Sequence, residues 1–364
     1  MKIAFDAKRA FNNLTGLGNY SRSVITSISS ILTKDELYLA TPKITNHIFK
    51  PDHKNIKIIK PKKFHNKHYW RFLGINTQLD NLNIDIYHGL SNEIPYQMNM
   101  KSVVTIHDLL FLKYPSFYNY IDRKIYYVKS KLACQYANKI IATSKQTKAD
   151  IINYFNINED KIHVIYQSCN EAFINHSNDQ TYDTFNQKEL KDPFILYVGS
   201  IEKRKNLIFL LKAIKKIKNI KLICVGKKGN YYQKVAQFID HNQLKHKVKF
   251  LNIHDPKKLA HIYRHSRGLV YPSIDEGFGI PVIEGMYSKI PVITSDQPIF
   301  KEIGGANSYY FEKDNLNSLI ETIKLIWFDS SDRDTRIEKN LNYVQKFNEM
   351  EQGQKIIQLY KSIV

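Results

Sequence analysis

The chain has 364 residues and is 43% hydrophobic, which excludes wholesale disorder and exceeds one ordinary core, so two α/β domains of roughly 150–200 residues each are expected. No apolar run approaches the ~18 residues needed to span a bilayer. The start, Met1-Lys2-Ile3-Ala4-Phe5-Asp6, lacks the apolar segment and cleavage site of a signal peptide, so a cytoplasmic protein is expected. Lys and Arg number 54 against 34 acids, and a net charge of +20 attracts phosphates, nucleic acid or anionic lipid.

Short apolar runs alternate with longer amphipathic segments from end to end, the pattern of parallel sheets with crossover helices. An expected strand at 3–6 leads to Thr15-Gly16-Leu17-Gly18-Asn19-Tyr20, which opens a helix. Gly16 and Gly18 would let backbone approach a ligand, but the third glycine of a dinucleotide fingerprint is missing and a simple turn fits too. Basic and aromatic residues interleave in Lys60-Pro61-Lys62-Lys63-Phe64-His65-Asn66-Lys67-His68-Tyr69-Trp70-Arg71. Phe64, Tyr69 and Trp70 among these charges suit an anionic membrane interface, where each Lys or Arg contributes about 1 kcal/mol. The alternative is a solvated lysine-rich loop. No helix-turn-helix, zinc or RNA-binding signature accompanies the charge, and no nucleic-acid partner is expected.

Further strands are expected at 84–88, 103–107, 140–143 and 162–166. His88, His107 and Ser144 fall at or just past strand ends, on the edge where α/β proteins bind ligands. The polar stretch 171–192 has no apolar period and reads as the connection between a first domain, 1–170, and a second, 193–345.

In the second half, strands are expected at 194–198, 222–225, 248–250, 269–271 and 292–294, and Leu207, Leu210, Leu211 and Ile214 mark one face of a helix over 206–217. Strand and glycine turn precede Lys203-Arg204-Lys205-Asn206, with Asn206 placed to cap that helix. Arg204 and Lys205 at such a turn make a second candidate anion site. The most informative stretch is Tyr271-Pro272-Ser273-Ile274-Asp275-Glu276-Gly277-Phe278-Gly279-Ile280-Pro281-Val282-Ile283-Glu284. Pro281 sits where a first helical residue belongs, Ile280 offers no capping oxygen, and Gly277 and Gly279 permit close approach, so the first-turn amides make an anion site. Glu284 in the first turn can accept two vicinal hydroxyls, as a ribose presents; Glu276 points beyond the phosphates. The only Asp-x-Asp, Asp332-Arg333-Asp334, lies in a charged run and reads as a solvated helix start, so no metal and no cofactor are expected. Cys134, Cys169 and Cys224 form no metal spacing. The last helix, near 350–363, follows a polar stretch and could pack on either domain, crossing back to the first if it does so there.

Glu276 and Glu284, seven residues apart, resemble the E-x7-E motif of retaining GT-B glycosyltransferases of family 4, and the match continues into Ile290-Pro291-Val292-Ile293-Thr294-Ser295 and Glu302-Ile303-Gly304-Gly305-Ala306. The resemblance implies two Rossmann-like domains with parallel sheets facing a cleft. It gives Glu284 the ribose, and gives Glu276 with the backbone of Phe278, Gly279 and Ile280 the transferred sugar. Arg204 and Lys205 would clamp the diphosphate, as in the family's strand-G-x-x-x-x-R-K-N segment; Ser200 stands where some members carry Arg, which loads these two further. Gly16 and Gly18 match the glycine loop near the diphosphate, and Val104-Thr105-Ile106-His107-Asp108-Leu109 resembles the segment of the cleft histidine that contacts the transferred sugar. The implied reaction is retaining transfer of a hexose, with mannose the first candidate, from a nucleoside-diphosphate sugar to a glycan or lipid-linked acceptor in surface polysaccharide synthesis. A sugar-nucleotide epimerase and a non-catalytic nucleotide-sugar-binding subunit are the competing readings. Main-chain groups near 251–254 are expected to read the base.

Overall fold

The computed structural model describes residues 1–45, 49–51, 53–61, 66, 69–175, 192–329 and 331–364. Its contacts divide the chain into two compact units, Met1–Ser168 with Phe347–Val364, and Cys169–Lys346.

The first unit holds β1 (Lys2–Asp6), β2 (Glu36–Ala40), β3 (Ile56–Ile59), β4 (Ile86–Gly89), β5 (Lys101–Ile106), β6 (Lys139–Ala142) and β7 (Ile162–Val164). They form one sheet in the order β3-β2-β1-β4-β5-β6-β7, parallel throughout. Helices cover both faces, so central strands must be apolar on both sides. In β1, Ile3 and Phe5 pack with Val24 and Ile28 of the Gly16–Ile31 helix. Ala4, pointing the other way, packs with Trp70 and Leu79. Trp70 is therefore core, 1% exposed, with its indole N–H donating to Gln78 Oε1 at 2.9 Å. This corrects its expected place on a membrane-facing surface: the second face of β1 needs a large apolar cover. Of the same cluster, Phe64 lies outside the described residues, and Tyr69 is exposed.

The Glu349–Lys361 helix belongs to this unit, capped by Asn348, whose side chain accepts from the Glu351 amide at 2.8 Å. Ile356, Ile357 and Tyr360 enter the core of the Gly16–Ile31 helix, and a side chain in place of Gly353 would meet Ser27 Oγ at 2.9 Å.

The second unit holds β8 (Ile195–Val198), β9 (Leu222–Val225), β10 (Val248–Leu251), β11 (Gly268–Tyr271), β12 (Val292–Ser295) and β13 (Tyr309–Phe311), again parallel, in the order β10-β9-β8-β11-β12-β13. Leu207, Leu210, Leu211 and Ile214 form the buried stripe of the Leu207–Lys216 helix. Asn206 does not cap that helix with its side chain. It takes a left-handed conformation, φ 56°, at the junction of the Lys203–Lys205 turn and the helix, a conformation asparagine tolerates better than most residues. Most of the expected connection 171–192 falls on 176–191, outside the described residues. Its first residues form the Glu171–Ile174 helix, which belongs to the second unit.

Strand order reverses between β1 and β4 in one sheet and between β8 and β11 in the other. The crevice beyond the carboxyl ends of such a pair is where open α/β sheets bind ligands.

Candidate active site

In the second unit, the carboxyl ends of β8 and β11 are followed by two loops that hold each other. The Ile274 amide donates to the Arg204 carbonyl at 2.9 Å, and Arg204 Nη1 returns a bond to the Asp275 carbonyl at 3.0 Å. Gly199, at φ +153°, turns the chain after β8 where a side chain would be strained.

These loops converge on the Glu276 carboxylate, which is 9% exposed. Arg204 Nη1 lies 2.6 Å from Oε2, and Lys205 Nζ lies 2.5 Å from Oε1. The Tyr271 hydroxyl donates to Oε1 at 2.9 Å and the Ser273 hydroxyl at 2.5 Å. Burial alone would raise this carboxyl; the Arg204 and Lys205 charges outweigh it and hold it down at about 2. Burial also draws Lys205 below its ordinary value, against the upward pull of Glu276. Three of the expected residues, Arg204, Lys205 and Glu276, thus form one cluster. Tyr271 and Ser273 belong to it too, although the sequence marked neither.

The chain then passes through Phe278, whose ring is buried, to Gly279 at φ 114°. Gly279 opens the Ile280–Tyr287 helix with proline in its first turn and no side-chain cap. The backbone at Phe278, Gly279 and Ile280 is thereby placed at a helix start suited to an anion. One turn further, Glu284 is 8% exposed and accepts from the Tyr263 hydroxyl at 2.7 Å. Burial raises its carboxyl to about 7, with the Tyr263 bond opposing. Tyr263 comes from the Pro256–His265 helix and is held edge-on by Phe173.

In the first unit, Gly16 and Gly18 lie in the first turn of the Gly16–Ile31 helix. A Cβ on Gly18 would meet the Asn13 carbonyl oxygen at 1.8 Å, so that glycine is required by packing, whereas Gly16 faces open space. His107 follows β5 and stands edge-on to Tyr20 of the same helix, 4.6 Å between centroids. Its Nε2 lies 2.9 Å from the Leu90 carbonyl, which can only accept, so Nε2 carries the proton. Burial lowers His107 to about 4, with Leu90 opposing and Arg9 assisting. The imidazole is neutral near pH 7, suited to a polar contact and not to proton donation. His88, expected at a strand end on the ligand edge, has both ring nitrogens engaged, with Tyr360 at 2.6 Å and Thr105 at 2.9 Å, and is a joint in the core. Ser144 caps the Lys145–Phe155 helix through the Thr147 amide at 3.0 Å.

Asp332 accepts from the Tyr309 hydroxyl at 2.7 Å and pairs with Arg336. Among the described residues, no three His, Cys, Asp or Glu gather to hold a metal ion. The three cysteines are free and buried.

Two parallel α/β units, the second with a cation-gripped carboxylate and an uncapped helix start at its switch point, form the GT-B fold. Residues 34–172 match the family model described as glycosyltransferase family 4, and residues 178–342 match that of glycosyl transferases group 1. The chain belongs to this glycosyltransferase family and is a hexosyltransferase. It is 28% identical over 330 residues to the O-antigen chain mannosyltransferase RfbU of Salmonella typhimurium, spanning 86% of this chain and 87% of that protein. It is 25% identical over 371 residues to the O-antigen chain mannosyltransferase B of Escherichia coli, spanning 96% of each. Among solved structures, sucrose-phosphate synthase from Thermosynechococcus elongatus shares the fold with a TM-score of 0.79 at 19% identity, covering 100% of this chain and 98% of that one. Anabaena HepE in complex with UDP-glucose does so with a TM-score of 0.79 at 16% identity, covering 100% of both.

Proposed function

We propose that the enzyme transfers a hexose, with mannose the first candidate, from a nucleoside-diphosphate sugar to a glycan or lipid-linked hydroxyl in surface polysaccharide synthesis, with retention and without a metal. The observation that carries this reading is the cluster at Glu276. Two partly buried cations grip one buried carboxylate beside a helix start with no side-chain cap. A bound diphosphate would share those cations, and charge developing on its departing oxygen would find them already oriented. Glu276 would keep two of its donors from Tyr271 and Ser273 while turning toward the sugar's hydroxyls. Glu284, held by the Tyr263 hydroxyl on one oxygen, would take the ribose. With acids placed to position and cations placed to stabilise, the departing phosphate oxygen itself can take the acceptor's proton, as retention on one face requires. Residues 251–254, at the end of β10 and just past it, are the proposed base-reading segment. The two O-antigen mannosyltransferase relatives, similar over nearly the whole chain, support the sugar and the pathway class.

A peripheral position at the cytoplasmic membrane face fits the exposed Tyr120, Ile121, Ile125 and Val128 interleaved with Arg123 and Lys124 on the Tyr120–Tyr136 helix. Among the described residues, no helix is long and apolar enough to cross a membrane.

The test is a thermal-shift screen of GDP, UDP, ADP and dTDP on wild type and Lys205→Ala, followed by transfer from the matching labelled sugar with and without EDTA. One nucleotide should raise the wild-type midpoint, the variant should lose both that rise and transfer, and EDTA should change nothing. A variant that binds and transfers like wild type would remove the leaving-group argument.

A further inference from the structure

Four buried polar side chains of the first unit join end to end. Tyr360 of the Glu349–Lys361 helix places its hydroxyl 2.6 Å from His88 Nδ1. His88 Nε2 lies 2.9 Å from Thr105 Oγ1, which lies 2.9 Å from the Tyr20 hydroxyl. With all four side chains buried, these bonds form where water does not compete for them. The last member, Tyr20, stands edge-on to His107, the imidazole expected to touch the transferred sugar.

The chain is coupled through its imidazole. Burial, with His107 assisting, lowers His88 to about 3, so the ring is neutral near pH 7 and carries one N–H. One of its nitrogens therefore donates only while the other accepts. If Tyr360 donates to Nδ1, then Nε2–H donates to Thr105, whose own hydrogen is free for Tyr20. If Nε2 accepts from Thr105 instead, Tyr20 must donate to Thr105. The Tyr360 hydroxyl thus helps to select the His88 tautomer, and removing it releases the two hydroxyls beyond. A second connection runs along the strands. Leu90, whose carbonyl accepts from His107 Nε2, follows His88 by two residues on leaving β4, and Thr105 precedes His107 by two residues at the end of β5. Both groups that orient the His107 ring, the Leu90 carbonyl and the Tyr20 ring, therefore adjoin or belong to the chain.

We infer that Tyr360 is a positioning residue for His107: acting through His88, Thr105 and Tyr20, it makes the last helix part of the construction of the first unit's ligand edge. Naming the affected step as sugar transfer rests on the transferase reading above; the placement of the imidazole does not. The test compares Tyr360→Phe, Thr105→Val, their double variant and Ile357→Val, an apolar core change on the same helix. In protein carrying isotope-labelled histidine, the His107 ring resonances should move in Tyr360→Phe and Thr105→Val and stay in place in Ile357→Val. In transfer from the cognate labelled sugar, each of the first two should lose about fivefold in kcat with donor KM within about twofold of wild type. Independent losses would multiply to about 25-fold, whereas one shared chain should leave the double variant within about twofold of the slower single one. Ile357→Val should lower the unfolding midpoint by about 2–4 °C and keep kcat. Unmoved His107 resonances in either chain variant, losses that multiply, or the same resonance and kcat changes in Ile357→Val would overturn the inference. Resonances that move as expected, with no transfer by wild type, would instead overturn the transferase reading and leave the positioning of His107 standing.

Discussion

Replacing Glu276 by alanine removes the anion from between two partly buried cations, and the structure sets the size of the response. The carboxyl is held at about 2 against an ordinary 4.5. Because the folded value is depressed, the stabilisation is fully present above pH 4.5 and is lost as pH falls through about 2. The difference corresponds to about 3 kcal/mol, and truncating one partner of a buried pair typically costs 3–5 kcal/mol. Burial of Lys205, which works against its own charge, takes back part of this, so about 3 kcal/mol is an upper figure. At ~2–4 °C per kcal/mol for a unit of this size, the unfolding midpoint at pH 7 should fall by up to about 6–12 °C. A nucleoside diphosphate brings a new anion to Arg204 and Lys205. Its addition should therefore raise the midpoint of Glu276→Ala by more than it raises that of wild type, while transfer is abolished. Differential scanning calorimetry with and without the cognate nucleotide reads both quantities. A variant within about 1 °C of wild type, with an equal or smaller nucleotide response, would refute the claim that this carboxylate holds the cations apart from the ligand.

Much of this was legible because parallel strands buried on both faces read as short apolar runs, and ten of the strands were visible that way. Strand β2, which lies between β1 and β3, and the edge strands β3 and β13 were not. In β3, Lys57 and Ile58 are exposed, so the run is diluted, and β13 is only Tyr309–Phe311. The glycines, Pro281 and the two glutamates marked the loop of the second unit, since backbone freedom and charge leave traces in residue type. Tyr271, Ser273 and Tyr263 were hidden because a tyrosine or serine near a strand end looks the same whether it bonds a carboxylate or water. Trp70 and Arg71 misled for a related reason: a basic, aromatic run has no periodicity to say which members turn inward, and Arg71 turns inward only because Asp6 and Glu93 meet it there. Asn206 carried a real signal whose meaning was backbone conformation, not capping.

Glu284 gives a pH test of opposite sign to Glu276. Its folded value is raised to about 7, so its burial destabilises the protein above pH 7, and that penalty is relieved as pH falls toward 4.5. Between pH 8 and 5.5 the wild-type midpoint should therefore rise relative to Glu284→Gln, and parallel curves would argue against a buried, titrating carboxyl. The last comparison separates the two glycines of the first helix. Gly16→Ala adds a methyl group where nothing lies within 4 Å, so its unfolding midpoint should match wild type, and a raised donor KM would report lost backbone approach to the ligand. Gly18→Ala places a Cβ 1.8 Å from the Asn13 carbonyl oxygen and 3.1 Å from that of Arg9. Both obstacles are backbone, so no rotamer change can clear them, and the helix start must move. Tyr20 lies on the next turn and holds the His107 ring, so the displacement should reach that imidazole as well. Gly18→Ala should lose both stability and activity, read by calorimetry and by transfer rate. If it kept both, the tight turn described here would not be what places His107.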